Sequence, residues 1–363
     1  MVPTLGVEEE YLLLDPVTGH NVPVADEVYA ALPEEVAGQS RREFRRSMVE
    51  MVTPVCRTLA EVRQSLFTLR VAAAKAAATA GARLVAVGAT PIADPDRTVS
   101  DDPRFRRIVD HYGPVVAHPA VCGCHVHVGV PDRDVAIQVG NHLRVWLPVV
   151  QAIAVNSPLH AGADTGHASW RAMQLDRWPS LGPTPWFAST EDYDRTVRAL
   201  VASGVMLDET MVLWHARPSA RYPTVEVRVT DVCLTIDDAV LVAGLVRALV
   251  ATAIDDIAAG RPAPRARGEL VRAAHWNAAH TGLTGTLTDP RTGGSRPAFE
   301  LVDELVATVR PALDRHGDLT PALQGLDALR ERGTGADWQR RVHARTRDVA
   351  AMLADLGQRT IEG

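Results

Sequence analysis

Three short stretches of this chain place ionisable side chains two residues apart. In GVEEEYLLLD (residues 6–15), Glu8 and Glu10 share one parity and Val7, Glu9 and Tyr11 the other. In VCGCHVHVG (121–129), His125 and His127 fall in step with Gly123 and Gly129. In PTVEVRVTD (223–231), Glu226 and Arg228 fall in step with Thr224 and Thr230, and Val225, Val227 and Val229 take the opposite side. Extended backbone sends alternate residues to opposite faces, so each stretch has an apolar face for a core and a second face bearing charge or imidazole. One such strand alone reads as a sheet with a solvated side. Three are better explained by a single polar pocket over a sheet. Gly123 and Gly129 leave bare backbone beside the imidazoles, as a site admitting a ligand would. Carboxylates crowded together repel unless cations sit among them. Mg²⁺ and Mn²⁺ take oxygen ligands, and Mn²⁺ also accepts imidazole.

REFRRSMVE (42–50) adds Glu43 and Glu50, seven residues apart, which on a helix would share a face two turns from each other. Glu50 sits between Val49 and Met51, an odd place for a purely solvating side chain. Glu43 reads equally well as a surface residue paired with a neighbouring arginine. CGCHVH also contains zinc-ligand residue types, but the pleat sends its cysteines and histidines to opposite faces. No second CxxC or HxxxH completes a tetrahedral set. Cys122 and Cys124, with Cys56 and Cys233, read instead as small core residues. Arg171, Arg217 and Arg228 stand among aromatic, proline and strand residues, where a guanidinium can clamp a phosphate or carboxylate with two hydrogen bonds. Trp170, Trp178, Trp186 and Trp214 could wall a pocket, although burial in a core is the ordinary role for each.

Composition narrows the chemistry. The chain has 363 residues, 46% of them hydrophobic, with a net charge of −6, which gives no basic surface for a nucleic-acid backbone. No stretch is apolar enough to cross a bilayer, the first residues lack the features of a signal peptide, and four cysteines suit a reducing cytoplasm. Among 38 basic residues the single lysine is Lys75, within VAAAKAAATA. A phosphate loop of the GxxxxGK[ST] type is therefore absent, as is a lysine for Schiff-base chemistry outside that helical stretch. Phosphate would have to be handled by arginines, backbone amides and metal ions.

Around these stretches the sequence predicts a first strand over 4–14, a long helix through TLAEVRQSLFTLRVAAAKAAATAG, and strands in ARLVAVGATP and AVCGCHVHVGVP. A second long helix is predicted from Asp132 to Asn156 with a kink at Pro148, then a loop over 169–186 and a helix over 191–203. Strands in MVLWHARPS and YPTVEVRVTDV precede a third long helix beginning at TIDDAV. Strands that come singly or in hairpins between long helices argue for α+β with a mostly antiparallel sheet. We expect a single catalytic domain: a core over 1–257 carrying the site, a linker-like stretch over 258–268, and a helical part over 269–363.

In chain order, GVEEEYLLLD, VEMVTPVCRTLAEV, GCHVHVGVPDRD, SWRAMQLDRWPSLGPTP and RPSARYPTVEVRVTD closely resemble the glutamate–cysteine ligase type 2 family, the YbdK-like carboxylate–amine ligases, across residues 4–280. The resemblance implies a glutamine-synthetase-like fold, a curved and mostly antiparallel sheet flanked by helices. It implies Mg²⁺ or Mn²⁺ held by Glu8, Glu10, Glu50, His125 and Glu226, with Glu43 a further ligand, and ATP phosphate on Arg228. We place His127 and Trp214 with Arg228 at the nucleotide, and Arg171 and Arg217 with it in catalysis. Family members typically have Met before the first histidine of HVH, where this chain has Cys124. The implied activity joins a glutamate-like carboxylate to a cysteine-like amine at the expense of ATP, in an enzyme that could be a homodimer. Three other readings compete: the same ligase chemistry with a different amine or carboxylate, a metal-dependent amide hydrolase, and a non-catalytic homologue that keeps the fold.

Overall fold

The computed structural model describes residues 2–92, 97–117 and 120–362. Among these, seven strands make one antiparallel sheet: β1 (Leu5–Leu14), β2 (Ser40–Arg41), β3 (Met48–Val52), β4 (Arg83–Val85), β5 (Gly123–Gly129), β6 (Ala216–Pro218) and β7 (Thr224–Asp231). Their order is β6-β7-β5-β1-β3-β2. One edge of β1 takes β3, and the other is shared by β5 along its first half and β4 along its second.

Period-two alternation explains why this sheet has two unlike faces. Leu5, Val7, Cys124, Val126, Val128, Val225 and Val227 are all buried in one apolar cluster. Packed against them are α1 (Leu59–Thr79), α2 (Arg133–Leu143), α3 (Leu147–Ile153) and α5 (Ile236–Ala258). The first of these starts in a capping box: Thr58 accepts from the Glu61 amide while Glu61 reaches back to the Thr58 amide. Its alanine-rich end stops before Gly81, whose φ of 76° only glycine adopts without strain. The helix α5 is buried nearly all round, which its run of apolar residues demands. The chain between α3 and α5 contributes the short helix α4 (Trp170–Leu175), and after α5 come α6 (Gly268–Thr281), α7 (Ala298–His316) and, at the end, α8 (Val349–Ile361).

Three expectations are corrected. The stretch predicted as one helix from 132 to 156 is two, because Pro148 lies in the first turn of α3 and the break falls before it at Arg144–Trp146. REFRRSMVE is not helical: it is the turn and returning strand of a β2–β3 hairpin, so Glu43 and Glu50 meet by strand pairing rather than on a helix face. Thr230 does not share a face with Glu226. The β5–β7 register slips between Val227 and Thr230, so that Val227 faces Val126 and Thr230 faces Cys124, leaving one extra residue on β7. This bulge turns Thr230 toward the core, where it donates to the Cys124 carbonyl, and brings Asp231 opposite Gly123.

Candidate functional site

The sheet face away from α1 and α5 carries the predicted ionisable residues, and strand register sets which of them meet. Glu8 stands opposite His125, Glu226 opposite His127, and Glu10 opposite Glu50. Nδ1 of His125 lies 3.5 Å and Nε2 of His127 3.3 Å from the two oxygens of Glu8. His127 is aimed by Thr224, whose hydroxyl is 2.9 Å from its Nδ1. Glu8, His127 and Glu226 each offer a ligand atom, all within 4.8 Å of one another. Residue by residue, then, His127 joins this carboxylate cluster rather than standing apart from it.

Electrostatics divides the carboxylates into two sets. Burial pushes Glu8 up, but the two imidazoles outweigh it and hold the carboxyl far below its usual range. Burial likewise opposes ionisation of Glu226, and Arg228 and Arg217 overcome it. Glu43 and Glu50 hydrogen-bond to each other, and the pull of Arg228 on Glu43 is too weak to offset burial. Burial first, and then the charge of Glu10, pushes Glu43 up to about 8. Burial and the charges of Glu43, Glu8 and Glu10 push Glu50 well above the carboxylate range. Like charges this close cannot all ionise without a counter-charge. The donor set therefore fits a divalent cation: crowded carboxylate oxygens, the Nε2 of His125, buried without a hydrogen-bond partner, and the Nε2 of His127, buried 3.3 Å from Glu8.

Beside this cluster opens a cavity of 630 Å³. Its lining includes the polar residues Glu10, Glu43, His125, Arg171 and Arg228 and the apolar residues Phe44, Met48, Phe105, Ile108, Val116 and Met211. Arg171 reaches it from α4, whose N-terminus is capped by Ser169. Its guanidinium lies over Gly123, where a Cβ would come within 2.4 Å of Nη2, so this glycine makes room for an arginine. Gly129 does not open toward a ligand: the space its Cβ would fill belongs to Thr4. Asp231, turned inward by the bulge, accepts from Ser157 and Ser169 and from the Asn156 amide, and lies 3.9 Å from Arg171. Gly88 is obligatory for the same reason, since a Cβ there would meet Asp231 at 2.6 Å.

Two expected residues stand elsewhere. Trp214 does not line the cavity; neighbouring residues of a short strand alternate, so Leu213 and His215 face it while Trp214 packs between Phe187 and Tyr193. Arg217 also lies outside it, grasping Glu226 through Nε at 2.9 Å and donating to the Thr210 and Val212 carbonyls, which makes it a positioning residue. The site also extends past residue 257, because Glu269, Arg272, His275 and Trp276 of α6 form a cavity wall. Sequence reading missed these, together with Asp231 and His215. Only Asp231 carried a signal, as the last residue of PTVEVRVTD.

The model of the glutamate-cysteine ligase family 2 (GCS2) matches residues 4–357. A protein of Salinispora tropica provisionally named glutamate–cysteine ligase 2 is 62% identical over 358 residues, covering 98% of this chain and 95% of that protein. One from Nocardia farcinica, provisionally named glutamate–cysteine ligase 2-1, is 45% identical over 362 residues, covering 99% and 94%. Among solved structures, a glutamate–cysteine ligase of Francisella tularensis in complex with AMP superposes with a TM-score of 0.65 at 13% identity, covering 100% of this chain and 90% of that one. The bifunctional glutathione synthetase of Pasteurella multocida gives 0.67 at 14%, with this chain spanning 52% of that longer one. The two structures share the fold, and the sequence match across nearly the whole chain decides the family: this protein belongs to glutamate-cysteine ligase family 2.

Proposed function

We propose that this protein is an ATP-dependent carboxylate–amine ligase that forms an amide through an acyl phosphate, with L-glutamate and L-cysteine as the first substrates to test. The observation that carries this reading is the meeting of carboxylates from β1, β3 and β7 with two imidazoles beside an arginine-lined cavity. A carboxylate is a poor acyl donor until phosphorylated, and that step brings an anionic carboxylate onto an anionic nucleotide. Such a reaction is driven by positioning and by positive charge. Mg²⁺ or Mn²⁺ held by Glu8, Glu226 and His127, with Glu10, Glu43, Glu50 and His125 alongside, would neutralise charge on the phosphate oxygens.

The chain's own contribution is to bind and orient. Arg171 and Arg228 face the cavity and suit phosphate or carboxylate oxygens. Arg217, held by two carbonyls, fixes Glu226. The apolar lining keeps water from competing for the acyl group. A hydrolase built on the same carboxylates would have no use for the arginines.

The test is release of ADP from Mg·ATP across a panel of carboxylate and amine pairs, followed by mass spectrometry of the product. ADP formed in step with a new amide supports the ligase. Amide cleavage without nucleotide would replace it with the hydrolase.

A further inference from the structure

Two imidazoles on the cavity wall have no part in the binding scheme above. His275, buried on α6, points Nδ1 at Oε1 of Gln151 on α3, 2.6 Å away. Its Nε2 lies 3.2 Å from Nδ1 of His215, with the rings 65° apart. An amide oxygen only accepts, so His275 carries its proton on Nδ1 and offers a lone pair at Nε2. His215 must then donate from Nδ1, which leaves its Nε2 bare. All three residues line the cavity. The relay therefore locks one tautomer and one ring orientation, and sets an acceptor in a wall that also carries Arg171, Arg228 and Arg272.

We propose that Nε2 of His215 accepts the proton of the attacking amine, with His275 and Gln151 as positioning residues. The assignment rests on the ligase reading. At neutral pH an alkylamine arrives as an ammonium without a lone pair. Its proton passes to Nε2, and the freed lone pair forms the C–N bond to the acyl carbon. The C–O bond to the phosphoryl group breaks, phosphate leaves with that electron pair and takes up the second proton shed by the nitrogen, and the imidazolium returns its proton to water. Burial and then the charges of Arg171, Arg272 and Arg228 keep His215 neutral in the free protein, at about 3. Anionic substrates seated among those arginines cancel that opposition, so the base becomes effective only in the loaded site.

The experiment compares two nucleophiles in His215→Phe and His275→Phe, with Mg·ATP and L-glutamate. One is L-cysteine, or whichever alkylamine the ADP panel returns. The other is hydroxylamine, which is already unprotonated near pH 7 and needs no base. In His215→Phe, amide formation should fall about 10²–10⁴-fold while hydroxamate formation stays within about threefold of wild type. His275→Phe should lower the amide-to-hydroxamate ratio in the same direction by less. Both products falling together, or neither falling, would overturn the role of His215. Should His215→Phe fail to fold, as read by circular dichroism, the ratio in His275→Phe decides: a lowered ratio supports the relay and an unchanged one overturns it. A wild-type protein that releases no ADP with either nucleophile overturns the ligase reading itself.

Discussion

Glu9 and Arg70 form a two-pronged ion pair to which water has no access: Nη2 lies 2.5 Å from Oε1, Nε lies 2.9 Å from Oε2, and both side chains are 0% exposed. Tyr11 donates its hydroxyl to the same carboxylate. The other donors of Arg70 go to the carbonyls of Cys233, Leu234 and Thr360, so all five of its N–H groups are used. Of three consecutive glutamates, the middle one is thus structural. It faces the core and ties β1 and α1 to the last turn of α8.

Removing one partner leaves the other charge buried and alone. Arg70→Met strands Glu9 and three carbonyls, and should destabilise the protein by roughly 3–5 kcal/mol. Glu9→Gln should cost a similar amount, and the double variant less than the sum of the two. Urea denaturation of all four proteins gives this cycle directly. Additive losses would show that the pair is not coupled.

Gly123 and Gly129 make a contrasting pair. A methyl group on Gly123 would sit 2.4 Å from Nη2 of Arg171 and 3.0 Å from Nε2 of His125. Displacing that guanidinium by about an ångström should cost about 10²-fold in ADP release. On Gly129 the methyl meets chiefly the Thr4 hydroxyl, away from the cavity, so Gly129→Ala should stay near wild-type activity. Equal losses in the two variants would show that Arg171 has no special place.

What was legible in the sequence was local. Alternation along β1 and β5 put Glu8 with Glu10 and His125 with His127, because the pleat is a property of consecutive residues. The bulge at Arg228–Val229 depends on how β7 pairs with β5, about a hundred residues away, and the segment itself alternates without a break. The seven-residue spacing of Glu43 and Glu50 fits a helix as well as a hairpin, and pairing with β1 decided between them. The His215–His275–Gln151 relay joins three distant segments, and a histidine in a helical stretch carries no mark of its partner. Trp214 was misplaced because an aromatic residue beside charged ones suits a pocket wall and a core equally.

The buried imidazoles also make stability depend on pH. Burial and the charges of Arg171, Arg272 and Arg228 lower His215, while burial, His215, Arg272 and Arg144 lower His275. Both are neutral in the fold, and in the unfolded chain both would take up protons near pH 6.5. Their contribution is complete above about 6.5 and is lost as pH falls from there toward about 3, the folded value of His215. Melting temperature should therefore fall between pH 6.5 and 4, and His275→Phe, with one fewer group to protonate, should show a shallower fall. Parallel curves would place the acid sensitivity elsewhere.

Cation binding can be read without turnover. If Glu8 and Glu226 hold a divalent ion in the folded chain alone, Mg²⁺ at a hundred times its dissociation constant should stabilise the protein by about 2.7 kcal/mol. Glu226→Gln loses its charge pairing with Arg217 and Arg228 as well, so its melting temperature in chelator will differ from wild type for a reason unrelated to metal. The informative quantity is the increment that Mg²⁺ adds to each protein's own melting temperature in chelator. That increment should be large in wild type and close to zero in Glu8→Gln and Glu226→Gln. Arg217→Met should retain most of it, because this residue orients Glu226 without offering an oxygen or a lone pair of its own. An undiminished increment in both glutamate variants would move the ion away from this cluster, and with it the argument that the crowded carboxylates exist to hold one.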